Sequence, residues 1–199
     1  MSSSVFSPFQ NLARDAGISR NTVTSYFSIL THTLLGSMLP AWQPQIKVRE
    51  RTYPKFYWFD CGVARAAAGL LDDPPDRAWL GHALETYILH ECRVRNAVSG
   101  QARGFYYYGL PSGGEIDLII ETRRPQPERP ARVIAVEIKL AEKWERKWER
   151  TIRDLAATHR VEVERMIGVY TGTRTYHMDG FDVMPVGTFV NELHAGRLF

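Results

Sequence analysis

The run VIAVEIKL, residues 133–140, sets Glu137 and Lys139 into an otherwise apolar strand, and EIDLII, residues 115–120, does the same with Glu115 and Asp117. Alternate side chains of an extended strand share a face. Ile134, Val136, Ile138 and Leu140 therefore fall on one side and Glu137 and Lys139 on the other. In the earlier strand Ile116, Leu118 and Ile120 oppose Glu115 and Asp117. If the two strands are neighbours, Asp117, Glu137 and Lys139 share one surface. Two readings are then open, a buried ion pair or a catalytic site. A buried pair often costs about as much as it gains, so stability alone is a weak reason to align three charges. The Glu-x-Lys spacing carries little by itself, since a chain of this length yields about one by chance. Glu145 and Lys147 in WERKWER form another, on a stretch that reads as a charged helix.

The surrounding elements give the spacing its setting. RAWLGHALETYILHECRVRN reads as a strong helix with Leu84, Ile88 and Cys92 along one face, and Glu85 is an unexpected acid on that largely apolar side. GFYYYG reads as a strand, LPSGG as a turn and EIDLII as the returning strand. After VIAVEIKL come a helix with basic residues and a further strand, RMIGVYTG. Lys143, Lys147 and Arg150 fall at helical spacing, either tracking phosphates or forming the solvated face of a helix whose Trp144, Trp148, Ile152 and Leu155 pack inward.

The N-terminal third reads as a different unit. FQNLARDAGISRNTVTSYFSIL predicts two helices around a tight turn, with Ser19 capping the second and Val23, Tyr26, Phe27 and Leu30 at helical spacing along it. Ala13, Gly17 and Val23 supply the small, turn and core residues of a helix-turn-helix. SMLPAW and QIKVRERTYPKFYWF alternate like a wing hairpin. A nucleic-acid reading puts Arg20, Asn21, Thr22 and Thr24 in a DNA groove and Lys47, Arg49 and Arg51 on phosphates. The alternative is a winged helix used as a spacer or protein-interaction module. Asp60 reads as a helix cap, and the prolines of LDDPPD set the expected boundary, with a winged helix-turn-helix over 1–74 and a second domain over 75–199.

Bulk properties set limits. The 199 residues, 44% of them hydrophobic with mean hydropathy −0.27, support a sizeable core. No apolar run is long enough to span a membrane, the N-terminus has no secretory pattern, and Cys61 and Cys92 form no CxxC pair, so a reducing cytoplasm is the expected setting. Net charge is +3, but residues 1–58 hold six Lys/Arg against two acids, +4, which leaves −1 for the remainder. A polyanion should prefer the N-terminal part.

Asp117 followed by Glu137-Ile138-Lys139, with Glu85 on the preceding helix, resembles the PD-(D/E)XK nuclease-like superfamily. LARDAGISRNTV, PKFYWFDCGVA, LGHALETYILHE, SGGEIDLII and VEIK together resemble the C-terminal region of bacterial and archaeal AAA-type ATPases over nearly the whole chain. The resemblance implies an α/β (α+β) protein, a winged helix followed by a restriction-endonuclease-like αβββαβ domain with a mixed sheet. The Pro-Asp of the superfamily name is absent, since Ile116 precedes Asp117, and there is no G-x-x-x-x-G-K-[ST] P-loop. The chain thus resembles the rear part of such a protein. The expected chemistry is phosphodiester hydrolysis with Mg²⁺ or Mn²⁺ held by Asp117, Glu137 and the Ile138 carbonyl, Glu85 or Glu115 completing the shell and Lys139 acting on the attacking water. Expected partners are DNA and an ATPase domain or other protein. The alternative is an inactive module on the same scaffold that serves a partner ATPase.

Overall fold

A computed structural model describes residues 8–43, 53–110 and 113–199. The wing residues Lys47, Arg49 and Arg51 lie outside the described residues. Helices α1 (Pro8–Asp15) and α2 (Arg20–His32) are joined by a turn in which Gly17 takes φ 66°, a conformation that favours glycine. The Ser19 hydroxyl accepts from Thr22 N at 3.1 Å and caps α2. Ala13 and Val23 are buried between the helices, as their spacing predicts, whereas Tyr26 is exposed. Phe27 packs against Phe9 in a tilted pair and against Phe56 edge to face, at centroid distances of 4.9 and 4.8 Å, and so ties the helix pair to a small sheet. That sheet consists of β1 (Gly36–Leu39) and β2 (Lys55–Trp58), antiparallel, with Gly36 opposite Trp58. Asp60 caps α3 (Cys61–Ala67) by accepting from Val63 N at 2.8 Å.

The remainder is a mixed α+β layer structure. Helix α4 (Arg77–Val98) is capped by Asp76 and buries Ile88, Leu89 and Cys92. Strands β3 (Gly104–Gly109), β4 (Glu115–Arg123) and β5 (Arg132–Lys139) form an antiparallel meander. A 3₁₀ turn over Arg146–Glu149 and helix α5 (Arg150–Ala157) cross over to β6 (Glu162–Tyr170), which lies parallel to β5. Strands β7 (Tyr176–Met178) and β8 (Phe181–Pro185) complete a six-stranded sheet of order β3-β4-β5-β6-β8-β7, and α6 (Val186–His194) follows. Leu118, Ile120, Ile134, Val136 and Ile167 pack on one face with α4 and α6. Ile116, Ile119, Val133 and Ala135 pack on the other with Ile152 and Leu155 of α5.

Two expectations change. Ile116 does not share a face with Leu118 and Ile120, because β4 carries a bulge. Tyr108 pairs with Ile116 and Tyr106 with Ile119, so Asp117 and Leu118 together oppose the single residue Tyr107. The basic helix also starts later than its charge spacing suggests, which leaves Lys143 and Trp144 in the connection from β5. Among the described residues no helix is long and apolar enough to cross a membrane.

Candidate functional site

The bulge in β4 re-aims Asp117 at the end of β5. Its Oδ2 accepts from Ile138 N at 2.8 Å and from Lys139 Nζ at 3.2 Å. Lys139 Nζ lies 2.5 Å from Glu137 Oε1 and donates to the Ile138 carbonyl at 3.1 Å. One ammonium thus sits among two carboxylates and a backbone carbonyl, all at the ends of adjacent strands. Asp117 and Glu137 are buried while Lys139 is partly exposed, so the cluster opens to solvent on the lysine side. The second oxygen of Glu137, Oε2, is buried and has no hydrogen-bond partner among the described residues.

Glu85, on α4, feels the charges of Asp117 and Lys139, but it does not join Asp117 and Glu137 as a third metal-ligating side chain. The Tyr57 hydroxyl donates to Glu85 Oε2 at 3.1 Å, and the Tyr57 ring stacks on His82, centroids 5.2 Å apart. Lys55, two residues before Tyr57 on β2, pairs with Glu115 and lies over the Tyr107 ring. Lys55 and Tyr57 are the site residues that sequence reasoning did not place here. Their alternation in KFYW puts both on one face of a strand, but nothing local to the strand says which sheet that face meets.

The charges respond to one another. Burial, with the negative charge of Asp117 beside it, pushes the Glu137 carboxyl up to about 8. The Glu85 carboxyl is also raised, by burial and then by Asp117, although Lys55 and the Tyr57 hydroxyl oppose the shift. Burial alone would lower Lys139, but the charges of Asp117 and Glu137 outweigh it and the ammonium is held above its usual range. Lys55 is raised in the same way, with Glu115 outweighing burial. Burial and the nearby Glu85 raise the Tyr57 phenol, so it remains a hydrogen-bond donor.

The donor set of Asp117, Glu137 and the Ile138 carbonyl consists of hard oxygens, the chemistry that suits Mg²⁺ or Mn²⁺. The buried Oε2 of Glu137, without a hydrogen-bond partner among the described residues, and the upward push on its carboxyl both mark a place that favours added positive charge. Among the described residues no group of three or more His, Cys, Asp or Glu side chains is arranged to hold a metal unaided. Such a donor set resembles magnesium sites that rely on one or two carboxylates, with water and substrate phosphate as the other ligands.

The N-terminal candidates lie elsewhere, along α2. Arg20, Asn21 and Thr24 are exposed, with the Thr24 hydroxyl bonded to Arg20 O at 3.0 Å. Thr22 Oγ1 lies 2.8 Å from the Ser19 hydroxyl. The second Glu-x-Lys, Glu145 and Lys147, is a solvent-exposed ion pair.

Residues 80–189 match the model of a domain family of unknown function, DUF4143, and the chain belongs to that family. The match takes in α4 with Glu85 and the strands that bear Asp117, Glu137 and Lys139. Residues 5–74 match a second domain of unknown function, DUF8612, and include Lys55 and Tyr57. Comparison with curated proteins and with solved structures gives no match.

Proposed function

We propose that the chain is a divalent-metal-dependent nuclease module of the PD-(D/E)XK type, brought to DNA by an N-terminal winged helix. The observation that carries this reading is the convergence of Asp117, Glu137 and Lys139 at adjacent strand ends, with a buried Glu137 oxygen left without a partner among the described residues. The order α4-β3-β4-β5-α5-β6 supports it, since it follows the αβββαβ core of that superfamily.

A bound Mg²⁺ supplies Lewis-acid stabilisation of the scissile phosphate and lowers the pKa of a bound water. The protein's part is positional and electrostatic. Asp117 and Glu137 provide carboxylate oxygens, and the Asp117 bond to Ile138 N fixes the Ile138 carbonyl beside them. Lys139, anchored by the same groups and open to solvent on one side, orients the attacking water and balances charge that builds on the phosphate. Tyr57 holds Glu85 on the α4 side of the site. The small sheet that bears Lys55 and Tyr57 therefore completes the site, which joins the two parts of the chain in one working unit.

Plasmid nicking with Mg²⁺ or Mn²⁺ tests the proposal. Wild type should nick and Lys139→Ala should lose activity by about 10²-fold or more, as for removal of other charge-stabilising groups. Equal nicking by both proteins overturns the assignment. A second reading, an inactive scaffold that binds a partner, draws on the same geometry, because the Lys139 ammonium already bridges the two carboxyl groups and occupies the space between them. Failure of wild type to nick under either metal favours that reading.

A further inference from the structure

Beside the carboxylate cluster lies a cleft of about 580 Å³ between the β5–α5 connection and the loop after β6. Its position relative to the site follows from strand register. Glu137 pairs with Gly168 and Lys139 with Tyr170 in parallel strands, so all four point to one face of the sheet. Gly168 has no side chain, and the space that its Cβ would fill is taken by the Trp144 ring, 2.5 Å from that point. Trp144 therefore lies over the strand next to Glu137. Its indole N–H donates to the buried Glu149 at 3.0 Å, which fixes the ring.

Trp144 and Tyr176, both half-buried, line the cleft above the buried Tyr170 ring, and Glu142 stands on the same rim as the cations. The Tyr170 hydroxyl donates to Arg174 O at 2.7 Å and accepts from Arg174 N at 3.1 Å, and so pins the loop that carries Arg174 to the rim. Of the three cations along the cleft, Arg146 is paired with Asp179. The charged ends of Lys143 and Arg174 have no hydrogen-bond or ion-pair partner among the described residues. The half-buried rings of Trp144 and Tyr176 next to unpaired cations, one strand away from the Asp117–Glu137–Lys139 cluster, form the combination that holds an unpaired base by stacking and its phosphate by charge.

We propose that this cleft binds a nucleotide of single-stranded nucleic acid that flanks the scissile phosphate, and that the substrate is a strand with an unpaired segment rather than continuous duplex. The inference rests on the nuclease reading for the direction in which the strand runs. The binding step itself needs no metal and can be measured without catalysis.

The test is fluorescence anisotropy of 5′-labelled (dT)₈ and (rU)₈ with the full chain in EDTA, for wild type, Lys143→Ala/Arg174→Ala and Tyr176→Ala. Thermal melts check folding, and the exposed charge variant guards against a folding defect in Tyr176→Ala. The charge variant should lower single-strand affinity about ten-fold and reduce the salt slope by about 1.4, for two phosphate contacts at ~0.7 each. Tyr176→Ala should also weaken binding about ten-fold, at a smaller cost in salt slope. Preference between (dT)₈ and (rU)₈ identifies the sugar. Unchanged affinity in both variants overturns the inference, as does an equal loss for a blunt duplex of the same length. Wild-type nicking with single-strand binding that ignores both variants removes the cleft but not the nuclease reading. Variant-sensitive binding without nicking removes the nuclease reading but not the cleft.

Discussion

Glu137 offers the sharpest test of whether the site sacrifices stability for function. Its carboxyl is buried, one oxygen is unpartnered and Asp117 is adjacent, so in the metal-free protein the neutral acid is favoured up to about pH 8 against an ordinary value of 4.5. Between those values the unfolded chain has released the proton and the folded chain still holds it. The slope of stability with pH is then negative, and wild type becomes less stable as pH rises through this window. Each unit corresponds to 1.36 kcal/mol, which sets an upper bound of roughly 5 kcal/mol across the shift. Relaxation and water entry on the open lysine side reduce that to roughly 1–3 kcal/mol. Glu137→Gln keeps the neutral shape and removes the titration. The variant should match wild type near pH 4, gain stability relative to it as pH rises, and reach a plateau above pH 8. Urea denaturation at pH 4.5, 6, 7 and 8.5 with EDTA measures the difference. A variant that is equal to or less stable than wild type at pH 8.5 would refute the argument. Saturating Mg²⁺ should narrow the gap at high pH, because ligand binding stabilises only the protein that retains the carboxylate.

Tyr57→Phe removes the donor to Glu85 and should cost about 1–3 kcal/mol. The loss should be larger at pH 8 than at pH 5, because Glu85 then carries its charge without that hydrogen bond; equal losses at the two pH values would count against the coupling. Ile88→Ala, at a fully buried position under the strand bearing Val136, should destabilise by about 2–5 kcal/mol in denaturant melts. Its Mg²⁺ affinity should stay near the wild-type value where the variant is folded, which separates core packing from the site.

Much of the site was legible because it obeys short-range rules. The two-residue period of VIAVEIKL places Glu137 and Lys139 together, and the apolar stripe of α4 makes Glu85 conspicuous. The face assignment of Ile116 failed at the bulge, since nothing in EIDLII distinguishes a regular strand from one in which Asp117 and Leu118 share a single partner. Lys55 and Tyr57 escaped for a different reason. They come to Glu115 and Glu85 across 60 and 28 residues of chain, and the contact is set by tertiary packing. The cleft was hidden in the same way. Trp144 reads as the inward face of a helix, but the helix starts later, and only the β5–β6 register shows that a glycine opposite Glu137 makes room for the ring.

The central claim is that Asp117 and Glu137 form one divalent-metal site that cuts phosphodiesters. Isothermal titration of Mg²⁺ and Mn²⁺ into wild type and Asp117→Asn, with plasmid nicking measured on the same samples, tests it most directly. Wild type should bind metal and nick, and Asp117→Asn, still folded, should lose both. Absence of metal binding in folded wild type, or nicking that survives in Asp117→Asn, would contradict it.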